Sequence, residues 1–345
     1  MIANTHITVK LMPKLRLEEA LKKAGVEDPV TVTHLTIFGR ITDSDFEYIR
    51  LSMNALCELD MGNASVERNR IKSNVFCCTT SLTSVIIPDS VKTIDSFAFW
   101  RCSLSSIFIP CSIKRIERMA FSICCNLTSI TVHPDNLSYL SENGILFSKD
   151  KTKLIKYPEG RQGDYAIPES VTAIQCGALN NCTGLTSIII PDSTVELIDG
   201  WWFTRCSKLT SITVHPNNPA YTSENGVLFN KNKNVLVSYP RGRQGDYVIP
   251  NTVTKIESFA FANSTGLPTV TIPNSVTEIG FLAFADCTGL KFITIPDSVK
   301  KIDNAFKSFD GCQTFITVHP DNPVYTSENG ELKAKAKKQP KRRKK

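Results

Sequence analysis

The sequence predicts a solenoid, a fold in which short turns of chain stack and each turn contacts only its neighbours. The first observation is a unit that recurs, with adjacent copies 22 to 24 residues apart. The second is the alternation of apolar and polar residues that opens each unit, which predicts one short β-strand per turn. Stacking gives a parallel sheet of about 10–12 short strands, joined by return segments that are irregular or short helices.

Each copy of the unit follows the pattern L-x-x-I-x-I-P-x-S-V-x-x-I-x-x-x-A-F-x-x-C. In "LTSIIIP" the leucine and two of the isoleucines point inward, and Pro191 ends the strand because it cannot donate a backbone hydrogen bond. The second half returns the chain and directs Val91, Ile94, Ala98 and Phe99 inward in the first copy. No single turn buries these residues alone, so the turns must stack. The clear copies begin at residues 82, 104, 185, 267 and 290.

Two turns carry the same additional segment, which predicts two β-hairpins inserted into the solenoid. The segments follow Leu127 and Leu209, and each delays the next regular copy to a distance of 58 residues. In the second, "GVLFNKNKNVLVSYP" places two apolar runs around a Lys/Asn turn. A third segment begins at Gln313, but "GELKAKAKK" replaces "GVLF" there. We therefore expect no hairpin in the third segment, and an uncapped end that favours end-to-end self-association.

Three histidines share the context "ITVHPDN" or "ITVHPNN", which raises the question of a metal or catalytic trio. His133 and His215 are 82 residues apart, and His215 and His319 are 104 apart. Strands spaced by about 4.8 Å separate them by about 14 and 19 Å, whereas the bonds of a shared metal are about 2 Å long. We interpret the histidines as turn residues repeated with their unit, and predict no metal and no cofactor.

Half of the twelve cysteines occupy one position of the repeat, three residues after the Phe or Leu that ends the A-F element, and Ser264 fills this position in another copy. A position taken by Cys or Ser indicates a small, packed site, so we expect inert thiols there. The adjacent pairs Cys77-Cys78 and Cys124-Cys125 lack a second pair at zinc-finger spacing. The repeated cysteines are Cys102, Cys124, Cys182, Cys206, Cys287 and Cys312.

Positive charge is concentrated at the end of the chain. The net charge is +7, but residues 333–345 carry nine Lys or Arg and no acid, which leaves 31 basic against 33 acidic residues elsewhere. Such a run predicts a disordered tail. No apolar run reaches the roughly 18–20 residues of a membrane span. The N-terminus lacks the features of a secretory signal, so we expect that the chain either stays inside the cell or has lost its signal.

The repeat resembles the BspA-like class of leucine-rich-repeat proteins, the "leucine-rich repeat 5" family. The units "LTSIxIPxSVxxIxxxAFxxC" carry the match over residues 82–330, and the added segments with "SENGVLF" and "GRxGDY" have a form found in the same class. The resemblance implies a right-handed leucine-rich-repeat solenoid on secreted or surface-anchored proteins of host-associated microbes. It also implies binding to extracellular-matrix or other host proteins, and no catalytic residue.

The repeat boundaries divide the chain into parts. We expect residues 1–29 to form a helical or capping segment, and residues 30–80 to form degenerate first repeats. Residues 81–330 hold the regular repeats, and residues 331–345 form the basic disordered tail. Within the second part, "TDSDFEYIRLSM" predicts a short helix, and "LTIFG" and "LCELDMG" predict two strands.

The outward positions of the strands are the first candidate binding surface. Most carry small polar residues, which offer hydrogen bonds but few anchors. Exposed aromatic residues at rigid positions are favoured in protein interfaces, although single exposed apolar residues are also common on ordinary surfaces. The apolar exceptions at these positions are Ile86, Phe108, Ile189 and Phe292.

A second candidate is "DGWWF". Trp202 takes the position at which other copies have Ala, and Trp201 takes the variable position before it. A tryptophan cannot fill an alanine site without local rearrangement. Either the additional residue of "PDSTVELI" makes room inside, or a tryptophan is displaced outward as part of a binding patch.

The sequence favours a non-enzymatic protein-binding module, an adhesin-like protein of the cell surface or extracellular space. The alternative is an intracellular or nuclear repeat scaffold in which "KQPKRRKK" contacts nucleic acid or another anionic surface. An enzyme is disfavoured because no G-x-S-x-G, H-E-x-x-H, P-loop or Rossmann motif is present. We predict a protein partner, no small-molecule substrate, and no nucleic-acid partner except through the tail.

Overall fold

Short β-strands make up almost all the regular structure of this protein. The computed structural model describes residues 5–197, 202–305 and 307–335. The chain divides into two units: the first comprises Met1–Leu185 and Ser193–Cys206, and the second comprises Thr186–Asp192 and Ser207–Lys345. Each unit is a β-solenoid, which confirms the predicted leucine-rich-repeat fold of parallel sheets with little helix.

The described elements are numbered here in chain order. The helices are α1 (Leu17–Lys23) and α2 (Asp43–Ser52), with 3₁₀ turns at Pro29–Thr31 and Glu67–Asn69. The first strands are β1 (His6–Leu11), β2 (His34–Ile41), β3 (Glu58–Asp60), β4 (Ala64–Val66), β5 (Arg70–Ile71), β6 (Ser84–Ile86), β7 (Thr93–Ile94), β8 (Ser106–Ile109), β9 (Arg115–Ile116), β10 (Ser129–Val132), β11 (Tyr139–Glu142), β12 (Ile145–Ser148), β13 (Lys153–Lys156), β14 (Gln162–Ala166) and β15 (Ala173–Ile174). The others are β16 (Gly184–Ile190), β17 (Glu196–Leu197), β18 (Ser211–Val214), β19 (Tyr221–Glu224), β20 (Val227–Asn230), β21 (Val235–Ser238), β22 (Tyr247–Val248), β23 (Lys255–Ile256), β24 (Thr269–Thr271), β25 (Glu278–Ile279), β26 (Phe292–Ile295), β27 (Lys301–Ile302), β28 (Phe315–Val318), β29 (Tyr325–Glu328) and β30 (Glu331–Ala334).

Two rows of parallel strands run through each unit. In the second unit the long strands form the sheet β22-β24-β26-β28. The two-residue strands β23, β25 and β27, at "V-x-x-I", form a second row that begins on the four-residue strand β21 of the added segment. In the first unit β8 pairs with β10, and β5-β7-β9 form the short row. The expectation of one strand per turn therefore missed the short row. A two-residue strand shows no alternation in sequence, and it forms because identical turns bring their backbones into register.

Stacked side chains fill the interior between the two rows. Val91, Ile94, Ala98 and Phe99 are fully buried, as predicted. The phenylalanines of successive turns stack on one another, with ring centroids 5.1 Å apart for Phe76 and Phe99. In the second unit the corresponding distance is 4.9 Å between Phe261 and Phe284. Each buried ring thus packs against its counterparts in the turns above and below, which fixes the rotation of one turn on the next.

Residues 30–80 contain the predicted helix and strands. Helix α2 begins after Thr42, whose side chain and backbone N–H both bond to Asp45 in a reciprocal capping box. Strands β2 and β3 form at "LTIFG" and within "LCELDMG" and pair in parallel. The helix and both strands predicted for residues 30–80 are confirmed.

The two predicted hairpins are present, and a third strand pair forms where none was expected. Strands β11, β12 and β13 pair antiparallel in the first added segment, and β19, β20 and β21 do so in the second. In the third, β29 pairs antiparallel with β30 across the turn Asn329-Gly330. Both turn residues are left-handed, with φ of 52° and 81°, which suits a tight hairpin regardless of the charged side chains that follow. Strand β30 therefore occupies residues at which the basic tail was expected to begin.

A buried asparagine holds each added segment on the preceding turn. The Asn136 amide nitrogen donates to the carbonyl oxygens of Pro110 (2.8 Å) and Ile113 (3.0 Å). Its side-chain oxygen accepts from the N–H groups of Ser138 (2.8 Å) and Tyr139 (2.9 Å). All three asparagines that end the "HP(D/N)N" motif are fully buried: Asn136, Asn218 and Asn322. This asparagine, three positions after the histidine, is the residue of the motif that holds the added segment in place.

Each added segment also closes the edge of the long-strand sheet that precedes it. The N–H of Ile130 donates to the Gly144 carbonyl (2.8 Å), and the N–H of Val132 donates to the Ser141 hydroxyl (3.0 Å). The same two bonds recur from Ile212 to Gly226, Val214 to Ser223, Ile316 to Gly330 and Val318 to Ser327. The hairpin at the third segment thus occupies the edge of β28, and the expected end-to-end self-association stays a prediction.

Replacing Asn136 by Ala should lower the free energy of unfolding by about 2–4 kcal/mol. The change leaves two buried carbonyls and two N–H groups without the side chain that bonds them, and buried unsatisfied groups are costly. Urea titration measures the effect, and Asn126→Ala on the exposed neighbouring turn is the matched control. Equal stabilities for the two variants would show that Asn136 does not anchor the segment.

Candidate functional site

Apolar side chains project from the solvent face of the long strands at all four positions named from the sequence. Ile86, Phe108, Ile189 and Phe292 are 51%, 49%, 50% and 62% exposed. Ile86, Phe108 and Ile189 each lie between two residues that point into the core, because side chains alternate along a strand, and Phe292 begins its strand beside the buried Ile293. A solvated strand has no structural need of these groups, so they are the candidate binding surface.

In the first unit, two of these residues form what we call the first apolar patch, Ile86 and Phe108. They occupy the same outward position in consecutive turns. The ring of His133 packs edge-on against Phe108, with centroids 6.1 Å apart. Phe108 pairs in register with Thr131 on β10. Because threonine is polar, the run of apolar side chains at this outward position ends at Phe108.

In the second unit, Phe292 and Phe315 form the second apolar patch. They are register partners on β26 and β28, with ring centroids 6.4 Å apart, and Phe315 is 48% exposed. The turn of the closing hairpin borders this patch, since a Cβ at Gly330 would lie 2.5 Å from the Phe315 ring. Phe315 was missed in the sequence. It stands at the second position after Gln313, and the glutamine in place of the leading leucine obscured the alignment.

Only one of the two tryptophan candidates lies among the described residues. Trp201 lies outside the described residues. Trp202 is half-buried, and its indole nitrogen is buried with no hydrogen-bond partner in the part of the chain that the structure describes. The Trp202 side chain therefore projects at least partly into the interior.

The histidines of the repeated motif have a local structural role. The Nδ1 atom of His133 accepts a hydrogen bond from the N–H of Asp135 (3.1 Å), and His215 and His319 accept from the residue two positions on in the same way. Across residues 5–197, 202–305 and 307–335, no group of three or more His, Cys, Asp or Glu side chains could hold a metal ion.

A polar cleft of about 560 Å³ lies beside helix α2 in the first unit. Arg16 donates to the hydroxyls of Thr42 (2.8 Å) and Ser44 (2.7 Å), and Lys72 pairs with Asp43 at 3.1 Å. Acidic and basic groups are balanced in its lining: Arg16, Arg50 and Lys72 against Asp43, Glu47 and Glu67. The cleft has no excess of either charge that would select an ionic ligand.

The repeated cysteines form a thiol ladder in which five are buried and the sixth, Cys312, is half-buried, so the predicted packed site is confirmed for the buried five. Cys102 donates to the Phe76 carbonyl (2.9 Å) and Cys124 to the Phe99 carbonyl (3.0 Å), each in the preceding turn. Burial raises the pKa of Cys102 to about 12 and holds the pKa of Cys124 well above its usual range. These two thiols stay protonated at neutral pH, so they are neither nucleophiles nor metal ligands there.

Together, the stacked turns and the open strand faces define a leucine-rich-repeat protein. The family model described as "BspA type Leucine rich repeat region (6 copies)" matches residues 52–162, 161–236 and 243–333. The chain therefore belongs to the BspA-type leucine-rich-repeat family. No curated protein matches it.

Two solved leucine-rich-repeat structures are similar to this chain. A leucine-rich cell surface protein from Faecalibacterium prausnitzii A2-165 is 26% identical with a TM-score of 0.50, over 85% of this chain and 64% of that protein. A leucine-rich repeat protein from Eubacterium ventriosum is 22% identical with a TM-score of 0.46, over 81% of this chain and 67% of that one. This chain thus spans about two thirds of the length of these relatives. No helix among the described residues is long and apolar enough to span a membrane.

The raised pKa of Cys102 predicts a loss of stability at alkaline pH. In the unfolded chain the thiol ionises near pH 9, and in the folded chain near pH 12. Its contribution to stability is fully present below pH 9 and is lost as the pH rises towards 12, because the unfolded state then binds fewer protons. Cys102→Ala should make the decline in free energy of unfolding over this range less steep. Cys111→Ala, at an exposed thiol, is the control, and a slope unchanged by Cys102→Ala would contradict the assignment.

Proposed function

We propose that this protein is a non-enzymatic protein-binding module whose partner contacts the exposed strand faces. The observation that carries the proposal is the second apolar patch, in which two phenylalanine side chains stand in register on one sheet and are 62% and 48% exposed. Aromatic groups fixed by secondary structure lose little side-chain entropy on binding and release water when a partner covers them. The first apolar patch offers a similar anchor in the other unit.

The faces of the long-strand sheets suit a partner better than the edges that the added segments close. At the end of each long-strand run, the N–H groups that an added strand would need are already bonded to the closing segment, as at Ile130 and Val132. Addition of a partner strand at these edges is therefore disfavoured. A partner is expected to dock side chains against the patches, with the surrounding Ser and Thr hydroxyls supplying hydrogen bonds.

We further propose an adhesin-like role at the cell surface or in the extracellular space, with a host or extracellular-matrix protein as partner. Support comes from the Faecalibacterium prausnitzii relative, which is described as a cell surface protein and is 26% identical to this chain. Catalysis is not proposed, because the interior is apolar and the ladder thiols Cys102 and Cys124 are held protonated.

Capture of extracellular-matrix and serum proteins on the immobilised full chain tests the proposal. The double variant Phe292→Ser/Phe315→Ser, or Ile86→Ser/Phe108→Ser, should reduce capture of a specific protein by tenfold or more, because hot-spot side chains contribute about 2 kcal/mol or more each. The variants should unfold at the wild-type temperature, since the replaced groups are exposed.

Leu137→Ser is the matched control for this experiment. Leu137 is the most exposed large apolar residue among those described, at 87%, and it lies on an added segment outside the strand faces. Its variant should bind as the wild type does. Capture that is unaffected by both double variants would place the binding surface elsewhere on the molecule.

The second candidate function is an intracellular or nuclear scaffold, favoured by the nine basic residues within residues 333–345. Deleting residues 336–345 leaves β30 intact and separates the two proposals. A scaffold of this kind would lose its salt-dependent binding to polyanions and its location in the cell. An adhesin would keep its protein partner.

A further inference from the structure

The thiols of Cys77 and Cys78 meet at the surface of the first unit. Their Sγ atoms are 3.5 Å apart, with Cys78 exposed and Cys77 half-buried. The other adjacent pair differs: Cys124 points into the core, whereas Cys125 is exposed and its Sγ lies 3.9 Å from the Ile123 carbonyl. Two cysteines that are adjacent in sequence therefore do not always bring their thiols together. At Cys77 and Cys78, the backbone conformation brings the two sulfurs close.

The repeat itself provides that backbone. Neighbouring side chains in an extended strand point to opposite faces. Cys78 instead has a φ of 63°, and its N–H donates to the Trp100 carbonyl (2.8 Å), while the N–H of Cys77 donates to the Asn74 carbonyl (3.2 Å). The next turn repeats the geometry at Trp100 and Arg101, where φ at Arg101 is 58° and the guanidinium lies 5.4 Å from the Trp100 ring centroid. Both turns thus bring two consecutive side chains into contact.

The separation of the two sulfurs suits a single bound atom. Two sulfurs bonded at about 2.3 Å to one atom, with an angle of about 95–110° between the two bonds, lie about 3.4–3.8 Å apart, a range that includes the 3.5 Å between Cys77 and Cys78. The described residues provide no set of three or more His, Cys, Asp or Glu ligands. The central atom of a ligand at this pair must therefore prefer sulfur donors. Its other bonds must be to groups that belong to the ligand and not to the protein.

We propose that Cys77 and Cys78 form a dithiol site that captures thiophilic trivalent metalloids, with a mono-organic arsenical as the type of ligand. In the reaction with phenylarsine oxide, each thiol sulfur forms a bond to arsenic and the arsenic–oxygen bond breaks. The oxygen leaves as water with the two thiol protons, so no oxidant or reductant is required. The phenyl group remains on arsenic and faces solvent beside Cys78.

Intact-mass spectrometry of the folded full chain with phenylarsine oxide tests the site. The wild-type chain should gain one phenylarsenic group with loss of water. The adduct should survive excess 2-mercaptoethanol and be removed by the dithiol 2,3-dimercaptopropanol, because two sulfurs held by one chain outcompete separate thiols. Peptide mapping should place the adduct on the segment that contains Cys77 and Cys78.

Three variants separate the dithiol site from general thiol reactivity. Cys77→Ser and Cys78→Ser should each abolish the adduct that resists monothiol, whereas Cys125→Ser, at the exposed cysteine of the diverging pair, should retain it. An adduct that persists in Cys78→Ser, or that is lost from the wild type to 2-mercaptoethanol, would overturn the proposal. Cys78 is exposed, so its variant should fold normally.

Discussion

Hydrogen bonding between successive turns is the constraint on which the rest of this structure depends. A parallel strand satisfies its backbone groups only on its neighbours, so a two-residue strand such as Thr93–Ile94 has no stability of its own. The stack supplies the partner on both sides and buries the phenylalanine of each turn against the next. The same dependence creates a problem at the end of each run, where an edge would be left open. The added segments solve it through a buried asparagine and two bonds to the edge strand.

The sequence was sufficient to predict the features that repeat, because each is encoded within one unit of about two dozen residues. The inward Ile and Val positions and the outward Phe292 follow from alternation along the strand, and the thiol ladder follows from one fixed position in the repeat. Features that depend on a neighbouring turn were not predictable in this way. Asn136 bonds to carbonyls 23 and 26 residues earlier, and no spacing within its own turn reveals them. The β29–β30 hairpin was missed because strand pairing rests on the backbone and on Asn329-Gly330, not on apolar side chains.

Closing the edges has a consequence for function. Where an added segment covers the last strand of a sheet, the outward side chains are the surface left for a partner. The residue types at the outward positions then decide where a partner binds. On this protein most outward positions are Ser or Thr, so the two apolar patches stand out as places where a partner gains the most from excluding water. The patches lie on strands and not on loops, which keeps the anchors in place before binding and limits the entropy lost on association. The outward positions of the other strands can then vary without loss of the fold.

Native-state hydrogen exchange at the edge strands tests the central claim, that the added segments close the sheets. The amides of Ile130, Val132, Ile316 and Val318 are bonded to the closing segments, so they should exchange as slowly as interior amides such as that of Ile293. Exchange at the rate of exposed loops would mean that the edges are open in solution. A partner could then bind by adding a strand to these edges, and the argument that it binds the sheet faces would fail.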